Sequence, residues 1–330
     1  MLILFGALSF LAAQPAPGPA ALPPAASKPG ALSPSLVQVR RFAETKGEAL
    51  WPGYGAATFE FLLVEAESET LLCRTSAPSG FTAAGVDNAT GCARYTRPRT
   101  SLSDKLLAAM PLFGPPPTIV MGTPETTGRT PASWLRTILH EHFHQWQFSL
   151  PGYFARTDAL ALKGGDESGM WVLNYPFPYE RPDVVAAQAA ASQALADAAA
   201  ARGMPGFRAK LDTYLAKRTA FRKTVSENDW RYIDFQLWQE GVARWTEIQL
   251  GKAYPDEAVA SSAVALEERT LTALREPDLA GQKREFVYAF GAAEAMLLEA
   301  CGPKWRLRYP AVLALGSLLA DAAAGCAKPG

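Results

Sequence analysis

Apolar and polar residues change their spacing along this chain, and each change marks a different kind of element. Residues 1–13, MLILFGALSFLAA, are apolar almost throughout. A run that short cannot span a bilayer and has the form of a secretory h-region, so it reads as a signal peptide cleaved near Ala13. The first basic residue is Lys28, so the usual basic n-region is missing. Residues 14–38 are rich in Pro and Ala, with few large apolar side chains, and read as an extended linker.

From Ala57 the period is two. Ala57, Phe59, Phe61 and Leu63 alternate with Thr58, Glu60, Leu62 and Val64, and a polar turn at Glu67-Ser68 leads into Thr70–Arg74 as the return strand of a hairpin. Cys92–Tyr95 reads as a third short strand, and Pro115–Pro117 introduces another over Thr118–Gly122. The period then becomes three to four. Leu135, Ile138, Leu139, His142 and Trp146 predict a helix over Trp134–Gln147, with Thr130-Pro131 as its cap and first-turn proline and Pro151-Gly152 as its stop.

Residues 153–179 predict an irregular, aromatic-rich loop, because two prolines interrupt the run WVLNYPFPY, and it either packs its own rings or lines the substrate cleft. Helical patterns follow over Asp183–Arg202, Pro205–Val225, Trp230–Leu250, Asp256–Arg275, Arg284–Ala300 and Pro310–Ala324. Strands followed by helices predict an α+β chain. Residues 39–152 would form a small sheet lying over the Trp134–Gln147 helix, and residues 153–330 a mostly helical subdomain.

Charge excludes one class of function. Lys+Arg and Asp+Glu are equal at 32 each with no block of like charge, so nothing points to nucleic acid. Four cysteines behind an export-type N-terminus predict two disulfides, and proximity favours Cys73–Cys92 and Cys301–Cys326. A periplasmic or secreted location follows, without stable membrane insertion once the signal is removed. No pattern speaks to oligomeric state.

Candidate chemistry is concentrated in one place. The chain has three histidines, all within His140-Glu141-His142-Phe143-His144, which contains H-E-x-x-H. Four residues apart on a helix, His140 and His144 share a face and can direct imidazole nitrogens at one ion. Glu141 projects about 100° away, placed to act as general base without being a ligand. A strand would instead align all three histidines, but the flanking period is helical. A di-iron site needs a second E-x-x-H pair, and no histidine remains for it. His142 lies off the ligand face and reads as packed or hydrogen-bonded behind it.

A catalytic zinc takes three protein ligands, and with histidine exhausted the third must be acidic or, less plausibly, a cysteine. Glu240, in WQEGVARWTE, sits among Ile233, Leu237 and Ala243 on its helix, where an uncompensated carboxylate is costly. Gly241 beside it allows another helix close. Asp234, Glu247, Asp166 and Glu167 are the alternatives by the same ligand chemistry.

His140-Glu141-x-x-His144 followed by Glu240-Gly241-x-Ala243 on a later helix resembles the gluzincin metallopeptidases, the group that includes thermolysin. The resemblance covers the two helices and the strand-then-helix order. It implies a zincin-like fold, Zn2+ held by His140, His144 and Glu240, Glu141 as catalytic base, and a peptide or protein substrate. It also implies a tyrosine from the helical half as oxyanion donor, for which Tyr288 in REFVYAFGAAEAMLLEA is the candidate. Arg244 could fill that role, hold a substrate carboxylate, or simply pair with Glu240 or Glu247 at helical spacing. Thermolysin-like members carry an Asp where this chain has Arg244, so another group, such as Glu247, must orient the ligands here. Two other readings are a zinc hydrolase of a non-peptide amide such as cell-wall material and a non-catalytic zinc-stabilised binding protein. The second leaves Glu141 without a purpose.

Overall fold

The run read as an alternating strand is buried on both sides. In the computed structural model, which describes residues 32–326, only Phe61–Val64 of that run pairs as a strand, β1, and all its residues are buried. It joins β2 (Ser68–Leu72), β3 (Thr82–Val86), β4 (Ala93–Pro98), β5 (Leu107–Met110) and β6 (Thr118–Gly122) in a six-stranded sheet of order β3-β4-β2-β1-β6-β5. β1 is interior, antiparallel to β2 and parallel to β6. Phe61 packs against Trp134 on one face, ring centroids 5.9 Å apart. Leu62 and Val64 join Leu71, Phe81, Tyr95 and Val120 in a cluster on the other. A strand covered on both faces reads as a continuous apolar run, which is why its second half shows no alternation.

The hairpin around Glu67-Ser68 is present, and β4 and β6 lie where short strands were expected. β3 and β5 had not been anticipated. Their sequences, TAAGV and LAAM, are short and rich in small residues, and β3 is fully exposed, so neither carries a periodic signal. Cys73 and Cys92, which follow β2 and precede β4, are bridged across this antiparallel pair.

The helix carrying the histidines runs over Pro131–Ser149. The Thr130 hydroxyl accepts from the Ser133 N–H at 3.2 Å, the cap expected there. Side chains tie the helix to the sheet layer: Trp134 Nε1 donates to the Gly122 carbonyl (2.8 Å), and Gln145 Nε2 to those of Glu60 (2.9 Å) and Pro117 (2.8 Å). A further helix starts at Ser33, inside the stretch read as linker up to residue 38, with a proline in its first turn. The stretch expected to be a signal peptide, and most of the expected linker, lie outside the described residues.

The chain divides into two compact units, Met1–Trp146 and Gln147–Gly330, and the division falls inside the histidine helix. The second unit is helical. Pro182–Ala200, Phe207–Arg222, Glu257–Arg275, Phe286–Ala300 and Leu315–Gly325 lie near their expected positions, although the last begins later than Pro310. The helix expected over Trp230–Leu250 runs from Glu227 to Lys252, interrupted by a π-helical turn at Leu237–Gly241. A capping box of Ser226 and Asp229 starts it. The segment expected to be irregular holds two short helices, Tyr153–Asp158 and Trp171–Asn174.

Phe286–Ala300 packs on the π turn so closely that a Cβ on Gly241 would lie 2.4 Å from the Gly291 Cα. Buried Arg218 bridges Asp234 and Glu294 at 2.6 Å each, which offsets part of the cost of burying these charges. A second disulfide joins Cys301 to Cys326. No described helix is long and apolar enough to cross a membrane.

Candidate metal centre

Helical spacing brings the imidazoles of His140 and His144 face to edge, with their Nε2 atoms 3.1 Å apart. Both side chains are almost fully enclosed, at 4% and 5% exposure. Glu141 is equally buried, and its Oε2 accepts a hydrogen bond from the backbone N–H of Ala109 in β5 at 2.8 Å. β5 is the end strand of the sheet. That bond fixes the carboxylate against the sheet edge in an orientation no helical neighbour dictates.

Glu240 owes its position to the π turn. Widening the helix by one residue over Leu237–Gly241 breaks the regular i→i−4 ladder and leaves carbonyls to be satisfied from elsewhere. The Trp238 carbonyl accepts from the Tyr309 hydroxyl (2.7 Å) and the Gln239 carbonyl from Gln147 Nε2 (3.0 Å). The next residue, Glu240, is 6% exposed, and its Oε1 accepts from Arg284 Nη2 at 2.8 Å. Arg284 also donates to Gln236 Oε1 at 3.0 Å. Burial works against the Arg284 charge, but Tyr288, Glu240, Tyr232 and Glu285 outweigh it and hold the guanidinium ionised.

One ligand atom from each of His140, His144 and Glu240 lies within 4.8 Å of the others, and this buried group could hold a metal ion. The donor set fits one. Two nitrogens bound at about 2.0–2.1 Å to a tetrahedral ion stand about 3.3 Å apart, close to the observed separation of the imidazoles. A carboxylate offers several lone pairs, so accepting from Arg284 is compatible with ligating an ion. Two imidazoles and a carboxylate match borderline divalent ions such as zinc rather than calcium or magnesium.

The alternative acids are engaged or outside. Asp234 is taken by Arg218 and by the Gly316 N–H (3.1 Å), and Glu167 is exposed and paired with Lys163 at 2.9 Å. Asp166 caps the turn at Ser168. Glu247 is buried and pairs with Arg244 at 3.3 Å. Of the two partners considered for Arg244, Glu247 pairs with it, and Glu240 pairs with Arg284. Tyr288 lies under both guanidiniums, Arg244 Cζ 5.0 Å and Arg284 Cζ 5.7 Å from its ring centroid. Burial, followed by Glu240, raises the Tyr288 pKa and keeps its hydroxyl protonated.

His142 is packed behind the pair. Its Nδ1 meets Gln145 Oε1 at 2.8 Å, and its ring stands edge-on to Tyr54 and Phe59. Burial drives its pKa down to about 4.

Sequence reasoning missed Arg284. One signal was available: a cation at the start of a helix opposes the macrodipole, so an arginine heading the apolar run from Phe286 calls for a compensating anion. No protein-family profile matches the chain, and no curated protein and no solved structure matches it.

Proposed function

We propose that this protein is a zinc-dependent hydrolase of amide bonds, with a peptide or protein as substrate. The observation that carries the reading is the buried group of His140, His144 and Glu240, with Glu141 one residue along the same helix. Those three side chains would hold the ion. Bound zinc lowers the pKa of a water toward neutrality and polarises a carbonyl.

Glu141 takes the proton of the attacking water and passes it to the departing amine nitrogen. Its carboxylate is already oriented for this by the Ala109 N–H. An extended peptide laid along the sheet edge at β5 passes the base, the Ala109 rung itself being held by Glu141. Tyr288, kept protonated, is the proposed hydrogen-bond donor to the developing oxyanion. Arg244, committed to Glu247, has a positioning part beside it.

Metal analysis and a peptide library read by mass spectrometry test the proposal together. Glu141→Gln is expected to keep one zinc per chain while losing about 10²–10⁴-fold in hydrolysis, the usual contribution of a positioned base. His144→Ala is expected to lose the metal. Undiminished cleavage by Glu141→Gln would eliminate the mechanism, and full occupancy in His144→Ala would eliminate the site.

A further inference from the structure

Rings of the aromatic segment pack on each other at Phe177 and Tyr179 and on the helix Glu227–Gln236 at Phe235 and Tyr232. A cavity of about 450 Å³ opens in the helical unit beside Trp171–Asn174, bounded by the turn at Ala161–Gly164 and by Asn228 in the first turn of Glu227–Gln236. Its volume is in the range of about 300–1,000 Å³ usual for small-molecule sites.

The one cation among the residues that line it is already paired, and the lining carboxylate is hydrogen-bonded locally. Lys163 pairs with Glu167 at 2.9 Å and Asp158 at 3.6 Å, and Asp166 accepts from the Ser168 N–H at 2.7 Å. The rest of the lining is the backbone turn with Leu162 and Pro176, two aromatic rings, Trp171 and Tyr175, and two carboxamides, Asn174 and Asn228. Trp171 stacks on Phe235 (centroids 5.8 Å apart) and Tyr175 on Tyr232 (4.3 Å), so a second layer of rings holds both in place. The Tyr175 hydroxyl is fixed by Asp229 at 3.1 Å. The side-chain amides of Asn174 and Asn228 and the Trp171 indole N–H, by contrast, have no hydrogen-bond partner among the described residues.

The ligand that complements this wall can be specified. With Lys163 twice compensated, no uncommitted cation is offered to an anion. An apolar ligand laid over Asn174 and Asn228 would strip water from two carboxamides and return no hydrogen bond, which opposes binding. A carboxamide both donates and accepts, as does each hydroxyl of a sugar, and the C–H face of a pyranose suits an aromatic ring. We infer that this cavity is a binding subsite for a neutral saccharide, seated against Trp171 and Tyr175 and hydrogen-bonded by Asn174 and Asn228.

The test is isothermal titration of the whole chain with chitotriose, cellotriose and maltotriose, with adenosine as a flat-ring control. At least one trisaccharide is expected to bind saturably with Kd below about 10 mM, a modest affinity of about 3 kcal/mol. Trp171→Ala and the double variant Asn174→Ala/Asn228→Ala should each weaken it at least tenfold. The two asparagines are exposed, so the double variant tests the subsite even if Trp171→Ala fails to fold. No saturable binding by any of the three sugars, undiminished binding in the asparagine variant, or tighter binding of adenosine would overturn the inference. Binding is read directly, so the result is independent of whether the chain hydrolyses anything.

Discussion

His142 is flanked by the two candidate ligands yet packs against Tyr54 and Phe59, and that environment makes folding sensitive to acid. Its folded pKa of about 4 lies below the ordinary 6.5 because burial penalises the charged ring. Between those values the unfolded chain binds the extra proton and the native one does not. Stability is therefore full above about pH 6.5 and falls as the pH drops toward 4, by up to about 3 kcal/mol. Urea denaturation at pH 7.5 and 4.5 should show a smaller loss for His142→Gln than for the parent, and equal losses would refute the assignment. Protonation of His140 and His144 affects both proteins alike, so the difference isolates His142. At this scale the sequence was informative where chemistry was local. His140, Glu141 and His144 announce themselves by spacing, and Glu240 by a carboxylate among apolar neighbours. Arg284 did not, because its partner lies 44 positions away.

Among the elements, the π turn at Leu237–Gly241 does most to place Glu240, and no periodicity revealed it. Its stability comes from Tyr309 and Gln147, residues distant in sequence that satisfy the displaced carbonyls. The same turn meets Phe286–Ala300 through two glycines. A Cβ on Gly291 would lie 2.7 Å from both the Gly241 Cα and the Leu237 carbonyl oxygen, all of it backbone that cannot swing aside. Gly291→Ala is expected to destabilise the protein by about 1–3 kcal/mol through overpacking. It should also weaken metal binding by displacing Glu240. Calorimetry and a competitive chelator titration check the two effects, and an unchanged melting temperature would show that the helices can separate freely. Regular helices were legible because burial imposes a period of three to four. The edge strands β3 and β5 were not, since short runs of small residues carry no such imprint.

At the scale of the whole molecule, the α+β class and both cysteine pairs were readable from the order of patterns and from simple proximity. Strand order was not. That β6 should lie parallel to β1, 57 residues after it, depends on pairing energies that only the assembled sheet reveals. The termination of that sheet has a further consequence. An end strand is a template on which a second molecule can grow, and proteins guard such edges by occupying or covering them. Here the carboxylate of Glu141, by holding the Ala109 amide, occupies one rung of β5. Glu141→Gln keeps an acceptor on that rung, whereas Glu141→Ala leaves it open. Light scattering should find the alanine variant self-associating at concentrations where the glutamine variant stays dispersed; equal behaviour would show that the rung needs no guard. The residue proposed to move protons would then also be the one that keeps neighbouring copies from zipping together.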